Sequence, residues 1–240
     1  MEKNKTGKYL KYAIGEIVLV VIGILIALSI NNWNENRINK KNGHLMLKAI
    51  RAENQINIDE LAFKIEDSKN VRKTLILLLS SMGENFHKKD ENLIDSLFFE
   101  GLSITIFDPN MASFTNMINS GNIEYISNQT LHDLLLEWSS KLDDLKSSQA
   151  TTLHSFKTLV IPHFYDIISL VKIDRKFDID ENENLPVSAF QWDNRQALNS
   201  MKTENILEDH LYNLKKIEKS YERFYNDLKM LNANIEKEIE

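Results

Sequence analysis

The sequence predicts an all-α protein: an N-terminal transmembrane helix followed by an elongated antiparallel helical bundle with long, coiled-coil-like helices. Three observations carry this. Glycine and proline number only 7 and 3 in 240 residues, too few for the tight turns of a sheet, a Gly-rich phosphate loop or a disordered linker. Tyr12 to Ile30 is an apolar run interrupted by a single charge. Beyond it, apolar residues recur at alternating spacings of three and four, the rhythm of helices packed side by side.

The first element, residues 1–11, is a short tail carrying Lys3, Lys5, Lys8 and Lys11. Residues 12–30, YAIGEIVLVVIGILIALSI, form the predicted span; roughly 20 apolar residues cross a hydrocarbon core about 30 Å thick. Tyr12 and Trp33 stand at its two ends, where amphipathic rings favour the interface, and Asn31, Asn32, Asn34 and Asn36 mark an abrupt exit into water. A cleaved signal peptide is the competing reading, because Ala27 and Ser29 form a small-x-small site; the length of the run and its Trp-Asn flank favour an anchor. Lysine and arginine are nearly balanced across the span, with Arg37, Lys40, Lys41 and Lys48 on the far side. Charge alone therefore leaves orientation open. A short tail kept inside, with residues 31–240 exported, is the preferred arrangement.

Within the span, Gly23 and Ala27 make a small-xxx-small pair that lets two helices approach closely. Glu16 lies one turn past Tyr12, roughly 6 Å along the helix. An ionisable group at that depth is costly, and is either a functional contact or a carboxylate snorkelling to the headgroups beside Lys8, Lys11 or a neighbouring chain. Glu16, Gly23 and Ala27 are the candidate intramembrane contacts.

The soluble part starts with a helix whose seam runs through Leu47, Ile50, Asn54, Ile58, Leu61, Ile65, Ser68, Arg72, Leu75, Leu79 and Met82. Asn54, Ser68 and Arg72 read as polar groups setting register in that seam. Gly83 stops the helix. A short helix over Glu91–Leu102 leads into SITIFDPN, an extended connector, and a further short helix ends at Ser120-Gly121. Asn128 is a predicted N-cap for a second long helix with Leu131, Leu135, Trp138, Leu142, Leu145, Thr152, Phe156 and Leu159 inward and a kink at Pro162. Lys172 to Asn194 is the main irregular stretch. The last helix buries Leu207, Leu211, Leu214, Tyr221, Phe224, Leu228, Leu231 and Ile235.

The residues from Lys11 to Arg37, KYAIGEIVLVVIGILIALSINNWNENR, resemble the start of a family of Bacteroidota membrane proteins, domain of unknown function family 6090. The resemblance rests on Ala13, Ile14, Gly15, Glu16 and Ile17, and on Ile30, Asn31, Asn32, Trp33, Asn34 and Glu35. SGNIEYISNQTL, Ser120 to Leu131, is similar to a second segment of that family, and Ser29 departs from its pattern, where Gln stands. The resemblance implies a single-pass protein of the inner, cytoplasmic membrane with its N-terminus cytoplasmic and its C-terminal domain periplasmic. It carries over no catalytic residue.

Chemistry is sparsely represented. With Cys at 0 there is no disulfide, thiolate metal site or cysteine nucleophile. Residues 1–51 hold nine Lys/Arg against Glu2, Glu16 and Glu35, so the net charge of -6 hides a basic start and a strongly acidic remainder. Nucleic acid is a poor partner for such a domain. The six histidines are scattered and form no HExxH, and Glu208, Asp209 and His210 read as a solvated face. DIDENEN, Asp178 to Asn184, resembles a calcium loop but lacks its glycine and has Ala189 in place of the closing glutamate. Without a nucleophile elbow, P-loop or dinucleotide fingerprint, no enzyme, cofactor or metal is expected. Three functions fit: a membrane-anchored scaffold or accessory subunit of a membrane protein complex, a periplasmic ligand-sensing domain acting through a partner, with a pocket near Pro162 and Trp138 or Trp192, and an ion-coupled energy-transducing rod using Glu16. The expected partners are the lipid bilayer and another membrane protein or further copies of this chain.

Overall fold

The computed structural model of the chain describes residues 5–177 and 186–239. Among these there is helix and irregular chain but no strand. Helix α1 runs unbroken from Lys5 to Ser80, 76 residues, or about 115 Å at 1.5 Å per residue. The predicted span and the first bundle helix are therefore one rod. Side chains from Tyr9 to Ile38 are all exposed, and packing begins at Gly43. From there Leu47, Ile50, Asn54, Ile58, Leu61, Ile65 and Ser68 are buried as their spacing requires. The helix closes with Ser80 and Ser81 hydroxyls donating to the Leu77 carbonyl at 2.8 Å each. Gly83 then takes φ +112°, a left-handed backbone that favours glycine, and donates its N–H to Leu198 O at 3.0 Å.

The chain next returns along α1. Helix α2 (Glu91–Gly101) is capped by the Asp90 carboxylate, which accepts from Leu93 N at 2.7 Å. At its end Gly101 lets the two helices close up: a Cβ there would lie 3.0 Å from Leu78 Cδ1. Residues 103–111 are irregular, and helix α3 (Ala112–Asn119) completes the descent. Gly121, at φ +69°, turns the chain into a 3-10 turn over Asn122–Tyr125, which packs on Gly43.

Helix α4 (Gln129–Ser155) climbs beside α1, with the Asn128 cap in place: its side chain accepts from Leu131 N at 3.1 Å. A π-helical turn (Phe156–Val160) and helix α5 (Ile161–Tyr165) continue it. Helix α6 (Leu170–Phe177) and a 3-10 turn over Asn194–Leu198 form the far end, and helix α7 (Met201–Ile239) descends the whole bundle. Ion pairs set the direction. Arg51 meets Glu236 at 2.6 Å, Lys69 meets Glu222 at 3.3 Å and Arg72 meets Glu218 at 3.2 Å, so α7 is antiparallel to α1. Lys141 meets Asp227 at 2.8 Å and Ser155 meets Asp209 at 2.8 Å, so α7 is antiparallel to α4 as well. The order is up, down, up, down, with the second arm broken into α2, connector and α3.

That broken arm explains five of the buried polar residues, Glu53, Asn57, Thr105, Gln149 and His210. An extended backbone has no helical hydrogen bonds of its own and must find partners elsewhere. Asn57, 1% exposed, donates to Asn110 O at 2.8 Å and accepts from Asn110 N at 2.9 Å. The Gln149 carbonyl oxygen accepts from Phe107 N at 2.8 Å, and the Tyr221 hydroxyl lies 2.8 Å from both that oxygen and Thr105 O. His210 Nε2 lies 3.1 Å from Ser103 O, the Glu53 carboxylate accepts from Ser113 N at 3.0 Å, and Thr105 donates to Asp67. Phe107 is buried between the rings of Tyr221 and Phe224.

Several expectations are corrected. Residues 172–177 are helical in α6, so the irregular stretch begins later than Lys172. His210 is 1% exposed rather than part of a solvated face, while Glu208 is exposed. Leu159 is 53% exposed, and Val160 is buried in its stead. Thr152, Phe156, Val160 and Phe164 are four residues apart, a spacing that drifts around an α-helix; the wider π turn holds all four on one face. The disturbance thus begins ahead of Pro162, which follows just after the π turn, where the regular helical ladder is already broken. Ser68 and Arg72 both bond Glu218 and fix the α1–α7 register, whereas the buried Asn54 amide nitrogen has no hydrogen-bond partner among the described residues.

Replacing Asn57 with alanine removes both of its bonds to the backbone of Asn110; Asn110 is itself exposed, so water replaces part of what is lost and the cost should be roughly 1–2 kcal/mol. Gln55→Ala, two residues away on the exposed side, should stay within about 0.5 kcal/mol. Urea unfolding of the two variants beside the wild type measures the difference.

Candidate functional site

The predicted contact residues lie on the unsupported part of α1. Each residue turns the helix by about 100°, which places Glu16, Gly23 and Ala27 within one 40° sector. Tyr12, 75% exposed, lies at the edge of the same face, one turn before Glu16, whereas Trp33, 67% exposed, is about 100° around the helix from Glu16. A Cβ added at Gly23 meets nothing within 4 Å, so no contact within the chain demands glycine there. Lys11 is five residues from Glu16 and about 140° around the helix; among the described residues Glu16 makes no ion pair. The exit from the apolar run is tied along the helix: Asn31 donates to Glu35 at 3.0 Å, Arg37 donates to Asn34 at 3.3 Å, and its guanidinium lies 5.8 Å from the Trp33 ring centre.

A second feature of α1 is missed by the search for one seam. Ile38, Leu45, Ile56 and Phe63 are 45%, 56%, 65% and 69% exposed, with Ala49 and Ala52 exposed between them. At 100° per residue these side chains lie opposite the buried line of Leu47, Ile58 and Ile65. The signal was present as a second three-four series, offset from the first.

Inside the bundle, ionisable groups are tied to structure. Asp95, 1% exposed, accepts from Asn194 at 2.8 Å, with Lys176 at 3.6 Å. Burial raises the Glu218 carboxyl above its usual range, opposed chiefly by the charge of Arg72. His163 Nε2 lies 3.0 Å from Thr203 Oγ1, and its pKa is lowered by burial and then by Lys202. Burial takes His210 down to about 4 despite its bonds to backbone carbonyls. Among the described residues no three His, Asp or Glu side chains converge on a point where a metal ion would sit. Asp178 to Asn184, the calcium-loop-like segment, lies outside the described residues.

Two cavities lie at the far end. One, of about 530 Å³, is lined by Lys172, Phe190, Trp192 and Gln196 among others. The other, of about 210 Å³, is walled by Phe98, Leu102, Ile161, Phe164 and Ile173, with the Asp174 carboxyl as its one acid. The second is lined by Ile161, the neighbour of Pro162. Trp192 lines the first, but Trp138 lines neither: it is 1% exposed and packs on Phe224 at 5.4 Å.

Comparison with known proteins yields one match. The sequence model of a family of unknown function (DUF6090) matches residues 16–156, from Glu16 in the apolar run to Phe156 at the π turn. No curated protein and no solved structure matches the chain.

The histidines predict an acid limit. A group whose pKa is lowered on folding contributes stability above its unfolded value, lost as pH falls toward the folded value. For His210 that window runs from 6.5 down to about 4, worth about 3 kcal/mol at 1.36 kcal/mol per pKa unit. Glu218 works in the opposite sense, its contribution falling as pH rises from 4.5 through its raised value. His210→Gln retains a donor for Ser103 O and should remove most of the acid loss, seen in urea unfolding at pH 4 and pH 7.

Proposed function

The chain belongs to the DUF6090 family, and from that premise we propose that it is a membrane-anchored helical scaffold, an accessory subunit of a membrane protein complex. The observation that carries this reading is the continuity of α1 from an apolar, wholly exposed stretch into the core of the bundle. Twelve Val, Leu and Ile side chains between Ile14 and Ile30 are about half exposed or more. Leaving them in water costs on the order of 10–20 kcal/mol, at roughly 1.5–3 kcal/mol for each fully buried aliphatic side chain. A bilayer relieves that cost, and the helix is long and apolar enough to cross one.

In this reading Tyr12–Ile30 spans the inner membrane with the N-terminus cytoplasmic, and residues 31–240 stand in the periplasm. Residues 31–42 are a polar helical spacer of about 18 Å, which lifts the bundle clear of the headgroups. Glu16, Gly23 and Ala27 share one face in the span and meet a neighbouring transmembrane helix. The bundle's buried polar groups bond its own backbone, as Asn57 and Gln149 do, or one another, as Ser68 and Glu218 do.

A second reading, ligand sensing through a partner, is favoured by the 210 Å³ cavity beside Pro162. Apolar walls with one carboxyl suit a small hydrophobic amine. Such compounds should raise the melting temperature of the detergent-solubilised protein, and Leu102→Trp should abolish the shift by filling the space; equal shifts in both forms dismiss the cavity as the site.

The scaffold is tested by purifying the tagged chain from native membranes, wild type beside Glu16→Gln, with mass spectrometry of what accompanies it. A stoichiometric multi-span partner, lost or depleted in Glu16→Gln, is the expected result. Recovery of the chain without another membrane protein, in several mild detergents, counts against it. Because the chain has no cysteine, Ser140→Cys reports topology: a membrane-impermeant maleimide should label it in spheroplasts, and labelling only after lysis reverses the orientation.

A further inference from the structure

We propose that the outward face of α1, the stripe through Ile38, Leu45, Ala49, Ala52 and Ile56, is a parallel seam for a second copy of this chain. The proposal rests on the anchor reading, and goes beyond it by naming the surface and its occupant. The spacing from Ile38 onward is seven, four, three, four, so that with Asn42 the residues fall alternately on the d and a positions of a heptad. All of them are exposed; Ile38, Leu45, Ala52 and Ile56 lie opposite the buried line of Leu47 and Ile58, and Asn42 lies at the margin of the stripe. A folded single copy leaves this second seam empty.

Four features select a second copy as the occupant. Copies anchored in one bilayer in one orientation stand parallel and at one depth, so each position of the stripe meets itself, as an isologous two-fold contact requires. Asn42 interrupts the apolar series at an a position, where a polar side chain facing its own counterpart fixes the register of a parallel pair. At the flanking positions Gln55 of one copy lies toward Glu60 of the other, while Glu53 is turned inward, where its carboxylate accepts from Ser113 N of its own bundle. No like-charged pair arises at the seam between Ile38 and Ile56; Asp59, which accepts from Gln55 of its own helix at 3.0 Å, ends the close contact. The face is also continuous with the apolar run: Ala27, Leu45 and Phe63 are 18 residues apart in turn, five whole turns of helix, and so are eclipsed.

Size sets the conditions for pairing. A stable interface uses roughly 20–30 residues a side, and the stripe supplies far fewer. The seam therefore closes where co-anchoring raises the local concentration, and the alanines at 49 and 52 let the two backbones come close.

The absence of native cysteine makes the test direct. Leu45→Cys, Ala49→Cys and Ala52→Cys are made singly in the full chain, with Leu136→Cys, an exposed apolar position on α4, and Lys73→Cys as controls. Native membranes are alkali-washed to confirm anchoring, then oxidised with copper phenanthroline. The three stripe positions should form disulfide-linked dimers at least about tenfold faster than the controls, because pairing raises the effective thiol concentration. Equal rates on stripe and controls, or no dimer at the stripe in chain that stays with the washed membranes, overturns the seam. Release of the chain by the alkali wash overturns the anchor, and the seam with it.

Discussion

The bundle depends on how it satisfies one stretch of backbone that is not helical. Residues 103–111 lie along the bundle with Thr105, Phe107 and Pro109 buried and Ile106, Asp108 and Asn110 exposed, and an extended segment there has N–H and C=O groups that its own backbone does not pair. Each neighbouring long helix contributes. Asn57 comes from α1, Gln149 from α4, and Tyr221 and His210 from α7, all meeting backbone groups between Ser103 and Asn110. Leaving a buried group unpaired costs about 1–3 kcal/mol, so these side chains are structural necessities in helix faces that would otherwise be aliphatic. They also locate the helices around the connector, since each bond has one geometry.

Much of the architecture was legible in the residues. The seams of the first and last helices, the Asn128 cap, the breaks at Gly83 and Gly121 and the connector at SITIFDPN are all local signals, and the structure places each where its chemistry points. What escaped was non-local. A polar residue in a seam looks alike whether it sets register, as Ser68 and Arg72 do with Glu218, or holds a backbone group dozens of residues away, as Asn57 does with Asn110. His210 looked solvated because Glu208 and Asp209 precede it, although one step around the helix carries it inward. The π turn was hidden because spacings of four are compatible with an α-helix until several follow in succession. Helix α6 was missed because it is only eight residues long and runs into a polar stretch, although Leu170, Ile173 and Phe177 recur at helical spacing.

The candidate contact residues divide in the same way. Glu16, Gly23 and Ala27 share a face because seven and four are helical spacings, and that was readable once the helix was granted. The outward stripe was not, because reading one helix for one buried face discards the residues that fall on the other. α1 has to be seen as a helix with two apolar sides, one occupied by its own α7 and connector and one open.

A helix that leaves the apolar run without a break also behaves mechanically as a lever. From Ile30 to Ser80 it extends about 75 Å, and nothing between the two residues interrupts its hydrogen bonding. With the span seated in a bilayer as proposed, tilt is set by the thickness of the hydrocarbon and by neighbouring helices, and spans adopt tilts of 0–40°. A change of only about 10° would sweep the far end sideways by roughly 13 Å over that length. Local membrane thickness would thereby be converted into the reach of the domain over the membrane surface.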